Sequence, residues 1–575
     1  MLPRISIQNY KLTNNLKNKT LSALKTKKIL IAAWACEDKY FASYQQWYTP
    51  FNKIFGKVIL FDPKKHKSIY GKNKMNELLL EKIKTEKPDF VFFWLISDEF
   101  SINTILKIKE ISPNTRTINF FGDDDERFEN YTRYLAKIFD YGLIHPQLLM
   151  DVYKKENLNN VFLTCGINTD NFKAINIEKK YDVTFVGTPK KDRYDFIKYL
   201  IEKGIKVNIF GAGWSKYPDL KKVYGGQLSS ENLVKVINQS KINLCFSQNY
   251  QKGPHLKGRI FEVCGCKSFI LCEYAPIVKD FFKQDREIVF FKDNKDLLNK
   301  VRYYLNSNDK RNKIAENAYN SVIKNYNVLS ELILFFSKIL YDKNFYAEEL
   351  KTSKKVFLFK EEYFNLSLAN IKKIVFNYDY IHFASKHSHS SPYKELIQAY
   401  SLEVSHKDLS CCDYYINSPG LGNYLLFQSV QASRSLREGE FSKFININQI
   451  MVTKQFFLDN YLSFNKIYNG DTAYLINKKN TAFIQIPLAE VNEFKKEWTE
   501  ASINLAFRMN FLEDLSVIIY QKKIFSPYPY KLLLKSILGK SFIIHHLYKN
   551  NIKNAHYLNR LRKIFFKSVE YYDKI

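Results

Sequence analysis

The segment KGRIFEV, residues 257–263, holds side chains whose types and spacing suit chemistry on an anion. Lys257 and Arg259 place two positive charges at the start of a predicted helix, whose N-terminus itself favours anions. A diphosphate bound there would receive charge-assisted hydrogen bonds. Glu262, one turn into the helix, can accept hydrogen bonds from ribose hydroxyls. The segment predicts a nucleotide-diphosphate site, and a surface helix start with ordinary salt bridges is the alternative.

Two glycine turns follow predicted strands and offer a second set of binding positions. FVGT contains Gly187, and FGAGW contains Gly211 and Gly213. Glycine after a strand lets the backbone approach a phosphate or a base closely. Neither turn has the GxGxxG pattern, and the sequence has no GxxxxGK[ST] string, so a dinucleotide site and a Walker-type site are both disfavoured. Purely structural turns remain the alternative.

A run of carboxylates, GDDDERF at residues 122–128, ends another predicted strand. Consecutive carboxylates repel one another, so burial in a cleft would raise the pKa of one of them and suit it to general-base chemistry. We predict Asp123 or Asp124 as that base. Magnesium binding and a solvated loop that caps the next helix are the alternatives. His145 and His255 lie near these places, and we expect structural roles for both.

Strands and helices that alternate along the chain must position these side chains. Short apolar strands such as KKILIAAWA and PDFVFFWLIS alternate with helical patterns over residues 27–172, and the alternation restarts with YDVTFVGT and continues to about 345. This pattern is typical of doubly wound α/β units. We predict two such units, 27–172 and 173–345, with a ligand-binding cleft at the carboxyl ends of their strands.

The flanking segments show weaker patterns. Residues 1–26 are polar and predict a poorly ordered arm. Residues 350–480 contain strand-like stretches, and 481–575 read as basic helices interleaved with apolar residues. Such helices suit docking on anionic lipid, and a packed terminal helix pair with a solvated lysine face is the alternative. We therefore predict an accessory C-terminal region of α+β and helical character.

Composition excludes several classes of protein. The chain has 575 residues, 46% of them hydrophobic, which is enough to build cores over two to four domains. No apolar run reaches the roughly 18 to 20 residues of a membrane-spanning helix, and the first residues do not resemble a signal peptide. We expect a cytoplasmic protein that can dock on the inner face of the plasma membrane. The eight cysteines lack zinc-site spacing, so buried free thiols are expected, with no metal.

The formal net charge of +30 attracts polyanions such as nucleic acid, acidic lipid or nucleotide diphosphates. Most of the positive charges are lysines spread along the whole chain, however, which also describes a solvated lysine-rich surface. The sequence shows no zinc-finger, helix-turn-helix or RRM pattern. We therefore expect no nucleic-acid partner.

Several of these segments together resemble one known family. Residues 28–330 resemble the CgeB-like (spore-maturation-type) glycosyltransferases, which have the GT-B fold and are related to the group 1 glycosyltransferases. The resemblance is carried, in order, by FFGDDDERFENYTRYLAKIFDYGLI, YDVTFVGT, IFGAGW, SKINLCFS, KGRIFEVCGCKSFIL and EIVFF. It implies two facing Rossmann-like domains, an acceptor-side one and a donor-binding one. It also implies transfer of a sugar from a nucleotide donor without an obligatory metal.

The resemblance assigns roles to individual residues. Glu262 matches the glutamate that holds the donor ribose, and Lys257 and Arg259 match the basic positions that bind the diphosphate. Gly187 and Arg193 belong to the first turn of the donor domain. Asp123 and Asp124 belong to the acidic loop on the acceptor side. Group 1 enzymes carry a second glutamate near the position of Pro254, and this sequence has none there.

A fainter resemblance covers residues 372–417, within the 350–480 region. YDYIHFASKHSHSSPYKELIQAYSLE is similar to the middle of family 2 glycosyltransferases, which have the GT-A fold and an aspartate-rich metal motif. Here that motif is replaced by residues 385–389, Ser-Lys-His-Ser-His. Lysine cannot ligate a divalent cation, so we predict a degenerate module. A metal held by His387 and His389 is the alternative.

These observations predict a glycosyltransferase that moves a sugar from a nucleotide-diphosphate sugar to a hydroxyl of a bacterial surface glycan or glycolipid. The nucleotide sugar is a co-substrate, and no further cofactor is expected. The partners would be that donor, a glycan or lipid-linked acceptor, and an anionic membrane surface. A non-catalytic protein that binds nucleotide sugars or glycans is the alternative, favoured by the missing second glutamate.

Overall fold

The computed structural model describes residues 13–491 except for 40, 42, 96–97, 123–126, 146–149, 249–254, 347–349, 351, 385–387, 392, 419–421, 428–449 and 469–479. Three sheets organise the described chain: one of six strands, one of five and one of seven.

The first lobe is a six-stranded parallel sheet with helices on both faces. Its strand order is β2-β1-β3-β4-β5-β6, and every pairing is parallel. The strands are almost continuously apolar because both faces are covered. They are β1 Lys28–Ala33, β2 Lys57–Phe61, β3 Phe90–Trp94, β4 Arg116–Phe121, β5 Tyr141–Ile144 and β6 Val161–Leu163.

Helices of the first lobe start where the sequence offers caps. Asp62 accepts hydrogen bonds from two backbone N–H groups at the start of α3, and Ser101 caps α5 in the same way. The helices are α1 Asn14–Lys25, α2 Thr49–Ile54, α3 Pro63–Tyr70, α4 Lys72–Glu86, α5 Ile102–Ile111, α6 Arg133–Ile138 and α7 Met150–Lys155, with π-helical turns at Tyr44–Tyr48 and Phe128–Thr132.

The second lobe is a five-stranded parallel sheet in the order β11-β10-β9-β7-β8. Its strands are β7 Tyr181–Val186, β8 Val207–Phe210, β9 Ser240–Cys245, β10 Ile270–Glu273 and β11 Val289–Phe291. Its helices are α8 Lys191–Glu202, α9 Ser230–Gln239, α10 Gly258–Gly265, α11 Pro276–Phe281, α12 Asn294–Leu305, α13 Asn308–Asn325 and α14 Val328–Tyr341. These two lobes confirm the predicted α/β class with two Rossmann-like units.

The third region carries a mixed sheet. β12 and β13 are parallel, β17 runs antiparallel to β13 and β15, and β18 is parallel to β15. The strands are β12 Val356–Lys360, β13 Tyr380–Ala384, β14 Ser388–Ser390, β15 Leu409–Ser418, β16 Gly422–Phe427, β17 Ile450–Thr453 and β18 Thr481–Val491, and the helices are α15 Leu368–Ile374, α16 Lys394–Ser405, α17 Lys454–Asp459 and α18 Tyr461–Tyr468.

Two segments at the predicted boundaries differ from the sequence-based expectation. Within the arm predicted at 1–26, α1 forms because Thr13 caps it and Leu24 buries completely against the first lobe. The 481–575 region, predicted to be helical, begins with a strand, because Thr481–Val491 completes the third sheet beside β15. The rest of that region lies outside the described residues.

Helix α14 belongs structurally to the first lobe although it follows the second one in sequence. Leu332, Phe335 and Phe336 are buried in the same cluster as Ile29, Phe51 and other residues of the first lobe. The chain therefore passes between the lobes twice, near 164–169 and near 326–328. The boundary predicted at 345 places this helix in the wrong lobe, because its apolar face was assigned by sequence order alone.

Candidate functional site

The two predicted glycine turns lie against each other at the carboxyl ends of β7 and β8. The Gly187 N–H donates to the Phe210 carbonyl at 2.9 Å. Gly211 has φ +121°, and a Cβ there would lie 2.6 Å from the Gly187 carbonyl oxygen. Backbone packs directly on backbone at this point, so glycine is required for packing.

Gly213 and Arg193 lie beside the same turns. Gly213 has φ +89° and precedes Trp214, whose indole N–H donates to the Gly187 carbonyl at 2.7 Å. Arg193, 7% exposed, donates from its guanidinium to the Thr188 carbonyl at 2.8 Å. The Arg193 side chain therefore holds the turn after β7 in place, and its Nε is buried without a hydrogen-bond partner among the described residues.

Glu273 is a buried carboxylate at the same edge of the sheet. It ends β10, is 4% exposed, and accepts hydrogen bonds from the Ser247 N–H at 2.9 Å and the Gln248 amide at 2.7 Å. Burial raises the pKa of Glu273, while the Ser247 hydrogen bond and the nearby Arg193 charge oppose that rise. Glu273 thus links the ends of β9 and β10.

The start of α10 carries the residues that the sequence singled out most strongly. Lys257 occupies the N-cap position with extended backbone. Arg259 and Glu262, three residues apart, form an ion pair with 2.5 Å between guanidinium and carboxylate, and their side chains are 26% and 24% exposed. The Nε of Arg259 is buried and has no hydrogen-bond partner among the described residues.

The predicted donor-side residues fall into two groups on one lobe. The Arg193 group holds the turns after β7 and β8, and the Arg259 group opens α10. The end of β9 hydrogen-bonds to Glu273 and to the segment before α10, because the Ser247 N–H donates to Glu273 and the Ser247 carbonyl accepts from the His255 N–H at 2.8 Å. The structure places both groups on elements that meet at the carboxyl edge of the second sheet.

On the first lobe, Asp123 and Asp124 lie outside the described residues, so their predicted role as base stays a prediction. Charged side chains that lie near the ends of β3 and β4 are described, and they have partners. Lys72 and Asp98 form an ion pair, and their side chains are 6% and 10% exposed. The Arg127 guanidinium lies 3.8 Å from the Tyr131 ring centroid.

Sequence reasoning missed two of these features. Glu273 stands at the end of an apolar strand, where a lone acid in FILCEY already signalled a polar group at the sheet edge. Asp98 and the 6%-exposed Glu99 lie four and five residues after the end of β3, and an acid pair shortly after a buried strand carries the same signal.

The cysteines are buried free thiols, as the sequence predicts. All eight cysteines are free and buried. Burial raises the pKa of Cys36 to about 12, and it also raises the pKa of Cys264. Buried neutral thiols are poor nucleophiles and poor metal ligands.

The described part of the chain meets neither the requirements of a metal site nor those of a membrane-spanning helix. Among the described residues, no group of three or more His, Cys, Asp or Glu side chains is arranged to hold a metal ion. His387 lies outside them, and only the backbone of His389, in β14, is described. No described helix combines the length and hydrophobicity needed to cross a lipid bilayer.

Comparison with protein families matches residues 193–330 to a model described as "Glycosyl transferase-like". The matched segment runs from Arg193 through α10 to the second crossing between the lobes. It contains Gly211, Gly213, Lys257, Arg259, Glu262 and Glu273. The match confirms, for this segment, the predicted relation to glycosyltransferases. No curated protein matches the chain.

Solved structures similar to the chain include a glycosyltransferase from Rickettsia africae ESF-5, at 12% identity and TM-score 0.41, covering 55% of this chain and 100% of that one. Anabaena Alr3699/HepE in complex with UDP-glucose aligns at 10% identity and TM-score 0.40, covering 55% and 99%. Sucrose-phosphate synthase from Thermosynechococcus elongatus aligns at 9% identity and TM-score 0.40, covering 55% and 99%.

Proposed function

We propose that this protein is a glycosyltransferase that takes a sugar from a nucleotide-diphosphate donor bound on the second lobe. The observation that carries the proposal is the glycosyl transferase-like segment 193–330, which contains the cationic start of α10. Two Rossmann-like lobes joined by two crossings support it, because ligands of such folds bind outside the carboxyl ends of the strands.

Arg259 and Glu262 would exchange partners when the donor binds. In the structure each neutralises the other at the start of α10. Both side chains are about a quarter exposed, so solvent screens their attraction and the pair can open. The guanidinium then pairs with the diphosphate and the carboxylate with ribose hydroxyls. Each of the two side chains therefore has a partner both before and after the donor binds, so neither charge is left unpaired.

The chemical step needs stabilisation of the departing nucleotide diphosphate. Arg259, Lys257 and the N-terminus of α10 would supply fixed positive charge where negative charge develops. Removing one such group from a comparable site costs about 2 to 4 kcal/mol of transition-state stabilisation and so slows the chemical step. On the other lobe, Asp123 or Asp124 would accept the proton of the acceptor hydroxyl.

The finer assignments remain part of this proposal. The CgeB-like motif set supports membership of that family, and the mixed third sheet is compatible with the proposed degenerate GT-A module. The acceptor would be a bacterial surface glycan or glycolipid, such as capsule or lipooligosaccharide. A cytoplasmic location at the inner face of the membrane is supported by the +30 charge and the basic sequence after residue 532. The Anabaena neighbour was solved with UDP-glucose, which makes UDP-sugars the first donors to test.

A non-catalytic nucleotide-sugar or glycan-binding protein is the second candidate. The absence of a second glutamate at Pro254 favours it, since the grip on the donor sugar would then be incomplete. Glu273 does not replace that residue in the described structure, because its carboxylate is already bonded to Ser247 and Gln248.

A screen of nucleotide sugars tests the proposal and separates the two candidates. Each sugar nucleotide is first ranked by thermal stabilisation, because a ligand that binds the folded state raises the melting temperature by mass action. The best ones are then assayed for nucleotide release and sugar transfer. If the protein is an enzyme, the wild type releases nucleotide, and R259A lowers the rate of release at least a hundredfold. R302A, which changes an exposed arginine on the same lobe, leaves that rate unchanged. Stabilisation without release would identify the binding protein.

A further inference from the structure

Strand β12 lies at one edge of the third sheet. It pairs in parallel with β13, with Val356 opposite Tyr380 and Lys360 opposite Ala384, and no described strand pairs with its other side. Leu358, in the middle of β12, is 40% exposed, and among the strand residues whose side chains the structure describes it is the only exposed large apolar one. An edge strand of this kind presents unpaired backbone groups to another chain.

The pairing with β13 decides which backbone groups of β12 point outward. The Tyr380 N–H donates to the Lys355 carbonyl at 3.2 Å, so the backbone of Lys355 bonds toward β13. Successive residues of a strand bond in alternate directions, so the N–H groups of Val356, Leu358 and Lys360 point away from β13, as do the carbonyls of Val356 and Leu358. None of the described hydrogen bonds outside the sheet uses these outward groups.

The sequence around β12 is complementary to itself in reverse. It reads KKVFLFKEE from Lys354 to Glu362, with lysines before the strand and glutamates after it. When two copies of β12 run antiparallel with Leu358 opposite Leu358, each Val356 lies opposite Lys360, and each Lys354 lies near Glu362. This register pairs all the outward-pointing residues of one copy with those of the other, and it brings opposite charges together at both ends.

The two charged residues are available for such a contact. The side chains of Lys354 and Glu362 are both exposed. The Lys354 ammonium lies 3.9 Å from the Asp379 carboxylate, but the side chains of that pair are 44% and 42% exposed. Because solvent screens an ion pair of this kind, Lys354 can turn to a second partner at little cost.

The apolar face of β12 is only partly covered. Val356 packs against the cluster that α16 forms with the third sheet, which contains Tyr380, Leu402 and Met451. Leu358 points to the same face as Val356, since side chains two residues apart share a face of a strand, yet it stays exposed. Opposite residues of an antiparallel pair also share a face, so two Leu358 side chains lie side by side and continue the apolar layer from one copy to the other.

We propose that β12 is a dimerisation edge, at which two copies of this chain pair their β12 strands antiparallel about Leu358 and join their third sheets into one. The two Leu358 residues exchange backbone hydrogen bonds, and each Lys360 N–H donates to the Val356 carbonyl of the other copy. The contact is two-fold symmetric, so it uses the β12 edge of both copies and closes at a dimer. Arg259 and Glu262 belong to the second lobe, so the dimer does not depend on the proposed chemistry.

Sedimentation velocity of the full chain tests the inference at protein concentrations from about 1 to 100 µM, which bracket micromolar affinities. We expect a monomer–dimer equilibrium in the wild type. L358P removes the central N–H donor but keeps the bonds to β13, because that N–H points away from β13, and it should weaken the dimer at least tenfold. L358A keeps the N–H and should weaken the dimer less. Both variants should retain the circular dichroism spectrum of the wild type.

Charge reversal gives a second arm that leaves the strand itself unchanged. E362K sets like charges against each other at both ends of the contact and should weaken the dimer at least threefold. The double variant K354E/E362K restores opposite charges and should bring the affinity back to near that of the wild type. E202K makes the same charge change at an exposed position of the second lobe, and as the matched control it should not alter the affinity.

Three results would overturn the inference. The first is a wild type that stays monomeric at the highest concentration. The second is a dimer that neither L358P nor E362K weakens, because another surface would then hold the two copies together. The third is a monomer in which the Leu358 N–H is protected from hydrogen exchange, because another segment of the same chain would then cover the β12 edge.

Discussion

At the scale of single residues, the donor lobe uses a few positions in ways that only the three-dimensional structure reveals. Gly187 and Gly211 could be identified from the sequence as special, because glycine after a strand is informative. Their mutual contact could not, since it joins two loops 24 residues apart in the chain. Arg193 and Glu273 illustrate the same limit: each is buried by neighbours from other strands, and sequence spacing does not encode that burial.

Gly211→Ala should destabilise the second lobe for two reasons. The backbone has φ +121°, and the added methyl would meet the Gly187 carbonyl at 2.6 Å. We expect a loss of about 3 kcal/mol in the free energy of unfolding. Gly204→Ala is the matched control, because Gly204 has φ +79° with nothing within 4 Å of its Cβ; it should lose about 1 kcal/mol. Urea unfolding of both variants measures the difference, and equal losses would contradict the backbone contact.

Glu331 is a buried carboxyl group whose titration should affect stability. It is buried where the chain crosses between the lobes, and its Oε2 accepts from the Thr164 hydroxyl at 2.7 Å and from the backbone N–H groups of Cys165 and Gly166. Burial raises the pKa of Glu331 to about 7 from an ordinary 4.5. Between these two values the unfolded chain loses its proton while the folded protein keeps it, so stability falls as pH rises.

Glu331→Gln should remove this pH dependence. The wild type is expected to lose about 3 to 4 kcal/mol from this group as pH rises through the range from 4.5 to 7, which is the shift converted at about 1.4 kcal/mol per pKa unit. Glutamine keeps the shape and the acceptor oxygen but does not ionise. Melting temperatures at pH 5, 6, 7 and 8 give the comparison. Parallel curves for the two proteins would show that Glu331 does not titrate as described.

At the scale of elements, apolar strands and capped helices could be predicted from the sequence. Which helix packs against which sheet could not. The strand-and-helix alternation over 27–345 could be predicted from short continuous apolar runs, because the strands of a parallel sheet are buried on both faces. Helix α14 was assigned to the second lobe because it follows that lobe in sequence, yet its apolar face covers the first sheet. The polar, lysine- and asparagine-rich composition of residues 1–26 predicts an arm, yet α1 forms there and buries Thr20 and Leu24.

Phe336→Ala should weaken the first lobe although the residue follows the second. The Phe336 ring lies 5.0 Å from that of Phe55 and 5.1 Å from that of Phe90, and it is fully buried. Replacing it leaves a cavity and should lower stability by about 3 to 5 kcal/mol. Phe376→Ala, at a position 73% exposed, is the control and should be near neutral.

Hydrogen exchange locates the Phe336→Ala effect. Faster exchange in β1 and β3, with β7 and β9 unchanged, is the expected pattern, because α14 contacts the first sheet. Loosening confined to the second lobe would mean that α14 does not belong to the first.

At the scale of the whole molecule, the protein combines two Rossmann-like lobes with the third region, residues 352–491 as far as they are described, which contacts the first lobe. The sequence predicted the first two units because each repeats a regular pattern. It did not predict the attachment, since Tyr400 and Glu156 are 244 positions apart and their contact depends on folding of both parts. The donor side can be argued residue by residue, whereas the acceptor base, Asp123 or Asp124, stays a prediction from sequence and resemblance.

The central claim is that a nucleotide diphosphate binds at the start of α10 through Arg259 and Glu262. Calorimetric titration with UDP, and with the sugar nucleotide selected by the screen, measures it most directly on the wild type, R259A, E262A and the surface controls R302A and E202A. We expect the two controls to bind as the wild type does, and R259A and E262A to bind at least tenfold more weakly while melting within a few degrees of it. Unchanged affinity in both R259A and E262A would contradict the account.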